Sequence, residues 1–547
     1  MPKKTIETSV DLAKAMGEFY SASLRQPDKL FSAYFDAVQD TFASLTGGSQ
    51  TQPERGDKRF NDPIWTSNPA YKSLMQSYLT WSRGLTEWVD SLDMDQRTKL
   101  RVNLLTSILT DSVAPTNMLM GNPAAMKTTL ETGGQNLVSG AKHLIEDMVN
   151  NGGLPSMVDK SKFKVGENLG TSEGQVIYRE DILELIQYKP KTEKVFKRPV
   201  FIIPPQINKF YIWDLAPGRS AVEFLLEQGH QVFIVSWRNP GEEHSDWAMD
   251  DYLLALDRAS EVACEITKSK DLNFVGACSG GITAALLMAY WAAKGIKRAN
   301  SFSLLVAILN VEGAKDTTMG LFANFETLEL ARLFSRSKGV LPGKDLQKAF
   351  AWLRPNDLIW SYWVNNYLLG NEPPAFDILF WNADTTNLPA ALHGDMISLL
   401  EKGGAREGAD ISVLDTKVDL KKVECDKFVV GGTTDHITPW EGCYLSMQAF
   451  GGDNEFVLSQ SGHIQAIINP PGNPKARFMT NKGDHASSEA YLKGAETNEG
   501  SWWLYWAKWL EERAGTQVKA PEQLGSEKHV PLADSPGTYV REIVQGT

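Results

Sequence analysis

Residues 273–287 read NFVGACSGGITAALL, and the fold follows from how this stretch is disposed. Residues 273–275 begin an apolar strand, 276–281 are small, and from Ile282 onward the pattern is helical. A strand, a glycine-bracketed turn and a helix form the context of the G-x-S-x-G nucleophile elbow. Its glycines permit a sharp turn and close helix–strand packing while the central residue is pushed out above the sheet. The central position here holds Cys278 where such elbows carry serine. The expected nucleophile is therefore a thiol.

Working outward, further short apolar runs occur at 200–203, 231–237, 303–309, 427–430 and 455–458, with a helical segment at 248–267. Strands alternating with helices predict an α/β domain with a mostly parallel sheet covered on both faces. This domain is expected to span 171–547. Its rhythm is interrupted at about 311–408 by a segment rich in Trp, Phe, Leu and Asn, placed where a lid would be inserted. Residues 1–170 read as a mostly helical region. Leu12, Met16, Phe19 and Tyr20 share one helical face, and Leu30, Phe31, Tyr34, Phe35, Val38 and Phe42 share another. Gln26-Pro27-Asp28 separates the two helices, and the polar stretch 46–58 reads as a linker. Such amphipathic helices either pack on the protein's own body or dock on an apolar surface.

An elbow nucleophile needs an acid and a histidine, arriving in that chain order. KFVVGGTTDHITPW ends a strand in a loop carrying Asp435, and EFVLSQSGHIQAI does the same for His463. Both candidates follow the carboxyl ends of strands, where open α/β sheets place their sites. His436 is the rival base, but it is adjacent to Asp435 and reads as a supporting neighbour. His485, in the polar NKGDHASSE, reads as surface. An oxyanion hole would combine the backbone N–H of Ser279 with one from the early loop PPQINKFYIWDL, at Ile207 or Asn208.

The bulk composition limits the function. The chain of 547 residues is 42% hydrophobic with 16 Trp, so a sizeable folded core is expected. A formal net charge of −12 argues against nucleic-acid binding and against a broad anionic-membrane surface. The start of the chain has no apolar h-region of a secretory signal. The longest apolar run, about 282–293, is too short for a transmembrane segment. The expected compartment is cytoplasmic. Four cysteines without a CxxC pair give neither a disulfide framework nor a metal site.

Six motifs in order, GACSGG, PPQINKFYIWDLAPGRS, WRNP, RPNDLIWSYWVNNYLLGNEPPAFDILFWN, TDHITPW and SGHIQAIINPPGNPKARF, resemble those of the polyhydroxyalkanoate synthases. WNADTTNLPAALHGD and SWWLYWAKWLEERAG look most like the class II members. The similarity runs from RFNDPIW near Phe60 to PGTYV near the C-terminus, and the first forty-odd residues are its least recognisable part. The resemblance implies an α/β-hydrolase fold with a cap, an N-terminal helical region, and a triad of Cys278, Asp435 and His463. It implies polymerisation of (R)-3-hydroxyacyl-CoA with release of CoA through an acyl-cysteine. It also implies no cofactor beyond the coenzyme A thioester substrate, a growing polyester chain and storage-granule surface as partners, and a homodimer when active. A thiol suits this chemistry, because exchanging one thioester for another keeps the acyl group activated. Water is the competing nucleophile, so the aromatic stretch 350–381 is expected to shield the site. A cysteine-dependent esterase or thioesterase of the same fold would share the triad but release free acid. A non-catalytic granule-coat protein would not need the triad.

Overall fold

A computed structural model describes residues 8–314, 317, 320–321, 325–405, 408–483 and 485–544. The side chain of Leu12 and the lid positions 315–316, 318–319, 322–324 and 406–407 lie outside the described residues. The chain divides into two compact units, Met1–Lys160 with Lys348–Leu379, and Ser161–Gln347 with Phe380–Thr547. The division differs from the expected one, since the middle of the insertion groups with the N-terminal helices.

In the first unit α1 (Thr8–Arg25) and α2 (Pro27–Leu45) meet at Gln26, where Pro27 takes the first helical position and has no N–H to lose. They are followed by α3 (Pro69–Ser91), α4 (Gln96–Ser112) and α5 (Gln135–Asn150). Asn68 and Asp95 cap α3 and α4 through their side-chain oxygens. α1 is tied down by Phe19 against Trp88, ring centroids 4.9 Å apart, and by Thr98 Oγ1 donating to Glu18. The segment Lys348–Leu379 contains two π-helical turns, Asn356–Trp360 and Trp363–Leu368, clamped onto α5 and its surroundings. Asn136 donates to the Leu368 carbonyl at 2.8 Å, Tyr367 donates to buried Asp147 at 2.7 Å, and the Trp363 indole donates to the Asn117 carbonyl at 3.1 Å. The contact is close enough that a Cβ on Gly140 would fall on the Tyr367 carbonyl oxygen.

The second unit holds an eleven-stranded sheet. In chain order the strands are β1 (Gly174–Arg179), β2 (Leu183–Tyr188), β3 (Val200–Ile203), β4 (Val232–Trp237), β5 (Leu272–Ala277) and β6 (Ala299–Leu305). There follow β7 (Asp426–Gly432), β8 (Asn454–Ser459), β9 (Arg477–Thr480), β10 (Glu496–Glu499) and β11 (Ala533–Asp534). The spatial order is β10-β9-β8-β7-β6-β5-β3-β4-β2-β1-β11. The six central strands β3 to β8 are parallel, with Ile203 opposite Gly276 and Gly432 opposite Ser459. The outer strands on both sides are antiparallel. Helices α6 (Met249–Thr267) and α7 (Cys278–Lys294) contribute buried faces to the main core. Every residue of β3, β4 and β5 is buried, as expected of parallel strands covered on both faces.

Two features differ from the sequence reading. β6 ends at Leu305, not Leu309, because Val306 turns the chain at φ +43° while residues 306–309 continue into the core. β1 and β2 escaped detection because Gln175, Arg179, Glu184 and Gln187 interrupt their apolar residues. Glu184 in β2 is fully buried, its charge met by Arg179 and by donors from Thr538 and Tyr539. The flanks of the insertion stay with this unit, where Arg332 on helix Phe325–Lys338 pairs with Glu401 on helix Ala390–Glu401.

Gly140→Ala is expected to destabilise the first unit by about 1–3 kcal/mol, the cost of overpacking against backbone. Gly84→Ala in α3, where the added Cβ meets nothing within 4 Å, should instead gain roughly 0.5–1 kcal/mol. Urea unfolding of both variants beside the parent checks the pair of signs.

Candidate active site

The site is built from loops at the carboxyl ends of β3, β5, β7 and β8. β5 passes directly into α7, and Cys278 takes φ +48° at the junction. A non-glycine residue in the left-handed region is strained, and such strain is held in place only by its surroundings. Three glycines supply that hold. A Cβ on Gly276 would lie 2.8 Å from Gly281 Cα, one on Gly280 would fall on the carbonyl oxygens of Ile203 and Pro204, and one on Gly281 would lie 2.6 Å from Leu304. Cys278 is left half-buried at the first turn of α7. In the other three thiols burial disfavours the thiolate. Burial pushes Cys264 and Cys425 up to about 11, and fully buried Cys443 well above the usual range.

The β3 loop is fixed against the elbow by a short polar lattice. Pro204 and Pro205 bring no N–H. The Gln206 N–H donates to Ser279 Oγ at 3.1 Å, and the Gln206 side chain donates to Thr283 Oγ1 at 2.9 Å. Thr386 donates from its hydroxyl to the Gln206 carbonyl at 2.6 Å and from its N–H to the Ile207 carbonyl at 3.1 Å. Ile207 therefore carries the first N–H of this loop with no partner among the described residues. Asn208 follows in a bridge to Thr385, its amide at 3.5 Å from the Trp381 carbonyl. Trp381 is buried, with its indole donating to the Lys209 carbonyl at 2.7 Å.

Asp435 and His463 come together beyond β7 and β8. His463 Nδ1 lies 2.7 Å from Asp435 Oδ2, and both residues are buried. Asp435 Oδ1 accepts the N–H groups of Ile437 and Thr438, each at 2.9 Å, and Oδ2 also accepts the Thr438 hydroxyl at 2.7 Å. Burial opposes ionisation of Asp435, but the His463 charge and these donors outweigh it and hold the carboxyl below its ordinary value. Burial likewise opposes the imidazolium, yet the charge and hydrogen bond of Asp435, with a contribution from Cys278, push His463 up to about 10. No Cys278–His463 hydrogen bond of normal geometry forms among the described residues. Catalytic hydrogen bonds of unliganded sites are often long and tighten with substrate.

His463 opens the short helix α8 (His463–Ile467), which is anchored from behind. Helix α9 (Trp502–Glu511) presents Trp502 and Trp503, whose indoles donate at 3.0 Å to the carbonyls of Ala466 and Ile467. These carbonyls end a five-residue helix and would otherwise be orphaned in the core.

The family described as the N-terminus of poly-beta-hydroxybutyrate polymerase (PhaC) matches residues 56–225, and the alpha/beta hydrolase fold matches residues 199–470. Poly(3-hydroxyalkanoate) polymerase 1 of Ectopseudomonas oleovorans is 50% identical over 91% of this chain and 89% of its own length. The chain belongs to the poly(3-hydroxyalkanoate) polymerase family. Polymerase 2 of the same organism is 46% identical, covering 91% of this chain and 88% of its own, and the polymerase subunit PhaC of Cupriavidus necator is 36% identical, covering 94% and 87%.

Within this polymerase-family fold, the structure brings Asp435 and His463 into contact and sets Ser279 and the Ile207–Asn208 loop beside the elbow. His436 lies half-buried on the Asp435 loop, while the Asp435 oxygens are engaged by Ile437, Thr438 and His463. His485, read from sequence as surface, is half-buried, its ring 5.9 Å from that of Tyr491 and its carbonyl accepting from Tyr444 and Gln448. The polar context that suggested exposure belongs to its neighbours. Thr438, Gln206 and the two indoles were not singled out in the sequence. For Thr438 a signal existed, a hydroxyl residue three after the acid in DHIT.

The pair imposes a sign on the pH dependence of stability. The lowered Asp435 contributes stability that is present above the unfolded carboxyl value, about 3.9, and is lost as pH falls through its folded value. The raised His463 contributes stability that is complete below about 6.5, the unfolded value, and is lost as pH rises through about 10. Asp435→Asn removes the charge that raises His463. The difference in melting temperature between parent and variant should therefore be largest between about pH 4 and 6.5 and shrink steadily toward pH 10. A difference constant over that range would contradict the coupling.

Proposed function

We propose that this chain polymerises (R)-3-hydroxyacyl-CoA into polyester through a thioester on Cys278. The observation that carries the mechanism is a cysteine held at φ +48° in the elbow, together with a buried His463–Asp435 pair, in a chain 50% identical to a poly(3-hydroxyalkanoate) polymerase. In the first half-reaction His463 takes the Sγ proton and the thiolate attacks the thioester carbonyl. The carbon–sulfur bond to CoA breaks, and the leaving thiolate regains the proton from the imidazolium. In the second, His463 takes the 3-hydroxyl proton of a monomer or chain end, whose oxygen attacks the acyl-Cys278. An ester bond forms, the bond to Cys278 breaks, and the proton returns to Sγ.

Asp435 keeps the proton of His463 on Nδ1, so that Nε2 serves the thiol and the hydroxyl in turn. The N–H groups of Ser279 and Ile207 are proposed to receive the oxyanion of each tetrahedral intermediate. No metal or redox cofactor enters, because the thioester itself carries the activation. Asn208 and His436 are proposed as supporting neighbours only.

Association with the polyester surface is assigned to the N-terminal helices. Phe31, Tyr34, Phe35, Val38, Phe42 and Leu45 on α2 are all exposed, an apolar face of the kind that marks interaction sites. No helix among the described residues is long and apolar enough to cross a membrane, so binding would be to a surface. The same face is available to the second subunit of a homodimer.

Purified protein given 3-hydroxyacyl-CoA esters of several chain lengths, with free CoA and polymer followed together, tests the proposal. Cys278→Ala should abolish CoA release and Cys278→Ser should polymerise far more slowly, since an oxygen ester surrenders the activation of a thioester. His463→Ala should lose about 10² to 10⁴ in rate, and His436→Ala much less. Free 3-hydroxy acid in place of polymer would identify a thioesterase, and wild-type rates from either cysteine variant would remove Cys278 from the mechanism. Deletion of residues 1–45 should spare acylation of Cys278 while weakening association with polymer. A folded truncation that fails to acylate would overturn the assignment of those helices.

A further inference from the structure

Thr438 sits directly before Pro439, which holds the N-cap position of the helix Trp440–Gln448. That helix has no side-chain cap. The Thr438 hydroxyl turns inward instead, in a residue only 8% exposed. It donates to Asp435 Oδ2 at 2.7 Å, and its oxygen lies 3.0 Å from His463 Nδ1. The same residue's N–H donates to Asp435 Oδ1 at 2.9 Å. We infer that Thr438 is a positioning residue of the polymerase, whose hydroxyl locks the rotation of the Asp435 carboxylate and gives the His463 Nδ1–H a second acceptor. The inference rests on the reading of Asp435 and His463 as catalytic partners of Cys278.

The hydrogen-bond inventory supports it. A buried carboxylate has about four acceptor positions, and here Ile437 N–H, Thr438 N–H, Thr438 O–H and His463 Nδ1–H fill them. Each donor favours the ionised carboxylate. The three atoms Thr438 Oγ1, Asp435 Oδ2 and His463 Nδ1 form a closed triangle, so the Nδ1–H points between two oxygens rather than at one. Rotation of the imidazole away from Asp435 then costs two acceptors. Thr438 is itself held from behind, its carbonyl 3.6 Å from the Cys443 Sγ. The titratable groups facing Asp435 are His463 on α8 and Cys443 on the helix Trp440–Gln448, with His436 next in sequence.

The test compares Thr438→Val, which keeps the branched shape and removes the hydroxyl, with Thr438→Ser, which keeps the hydroxyl and removes the methyl. Initial CoA release from a 3-hydroxyacyl-CoA is measured across pH, with thermal unfolding recorded for each variant. Thr438→Val is expected to melt near the parent and release CoA about 10- to 100-fold more slowly, the range for a hydrogen bond to a charged group. Its acid limb, set by His463 giving up its proton, should move to lower pH, because the imidazolium loses its second acceptor at Nδ1. Thr438→Ser should restore most of the rate and the original acid limb. Parent-like rate and acid limb in Thr438→Val would overturn the inference. So would a Thr438→Ser variant as slow as Thr438→Val, which would assign the effect to methyl packing. If Thr438→Val does not fold, Thr438→Ala carries the same comparison with Thr438→Ser. Asp435→Ala and His463→Ala run alongside. Activity retained by those two sinks the triad reading itself, whereas their failure beside an unaffected Thr438→Val sinks only the role of Thr438.

Discussion

Everything at the site depends on how closely the first turn of α7 approaches β3. Gly280 lies against the carbonyls of Ile203 and Pro204 at a separation that leaves no room for a side chain. That approach holds the strand-to-helix junction so tight that Cys278 is driven into the left-handed region. Strain of this kind, of order 1–3 kcal/mol, persists only where neighbours overdetermine it. Here they are the parallel neighbours β3 and β6, the glycines at 276 and 281, and the Gln206–Ser279 hydrogen bond that ties the β3 loop to the same turn. Candidate nucleophile and candidate oxyanion donors are thereby set by one contact, so neither can drift without the other.

The opposite side of the site uses a different device. Asp435 and His463 follow the ends of two neighbouring parallel strands, and their mutual orientation comes from saturation of polar groups. The carboxylate is filled with donors, and the short helix of His463 has its last carbonyls taken by two indoles. Low local polarity makes each of these bonds costly to leave unmade. The tryptophan-rich helix near the C-terminus is thus joined to the chemistry without carrying any group that reacts.

Much of this was legible in the sequence where burial and periodicity coincide. β3, β4, β7 and β8 announce themselves as continuous apolar runs because both faces are covered, and the three glycine-rich loops that follow strands lead directly to Cys278, Asp435 and His463. Legibility fails where an apolar or polar pattern has two physical causes. Val306, Ala307 and Leu309 are apolar because they are buried, not because they are strand. Glu184 carries no sign of its burial, because Thr538 and Tyr539, which join Arg179 in meeting its charge, are some 350 residues away in sequence. Trp363 and Tyr367 advertise burial, but nothing in their spacing says that Asn117 and Asp147 are the partners. Thr438 looks like a turn residue, and only the direction of its hydroxyl distinguishes it from one.

The chain leaves and re-enters its first unit, crossing the boundary near residues 160, 347 and 379. Because Lys348–Leu379 is wired to α5 through Asn136, His143 and Asp147, neither unit is a contiguous piece of gene. A recombination cut anywhere between the end of α5 and residue 347 would separate these partners into different parents. Shuffled chimeras of related sequences should then fold more often when both fragments come from the same source. Directed evolution that mutates one of them alone explores mostly broken pairs, and libraries that draw 115–160 and 348–379 together from a single parent should hold the larger share of folded members.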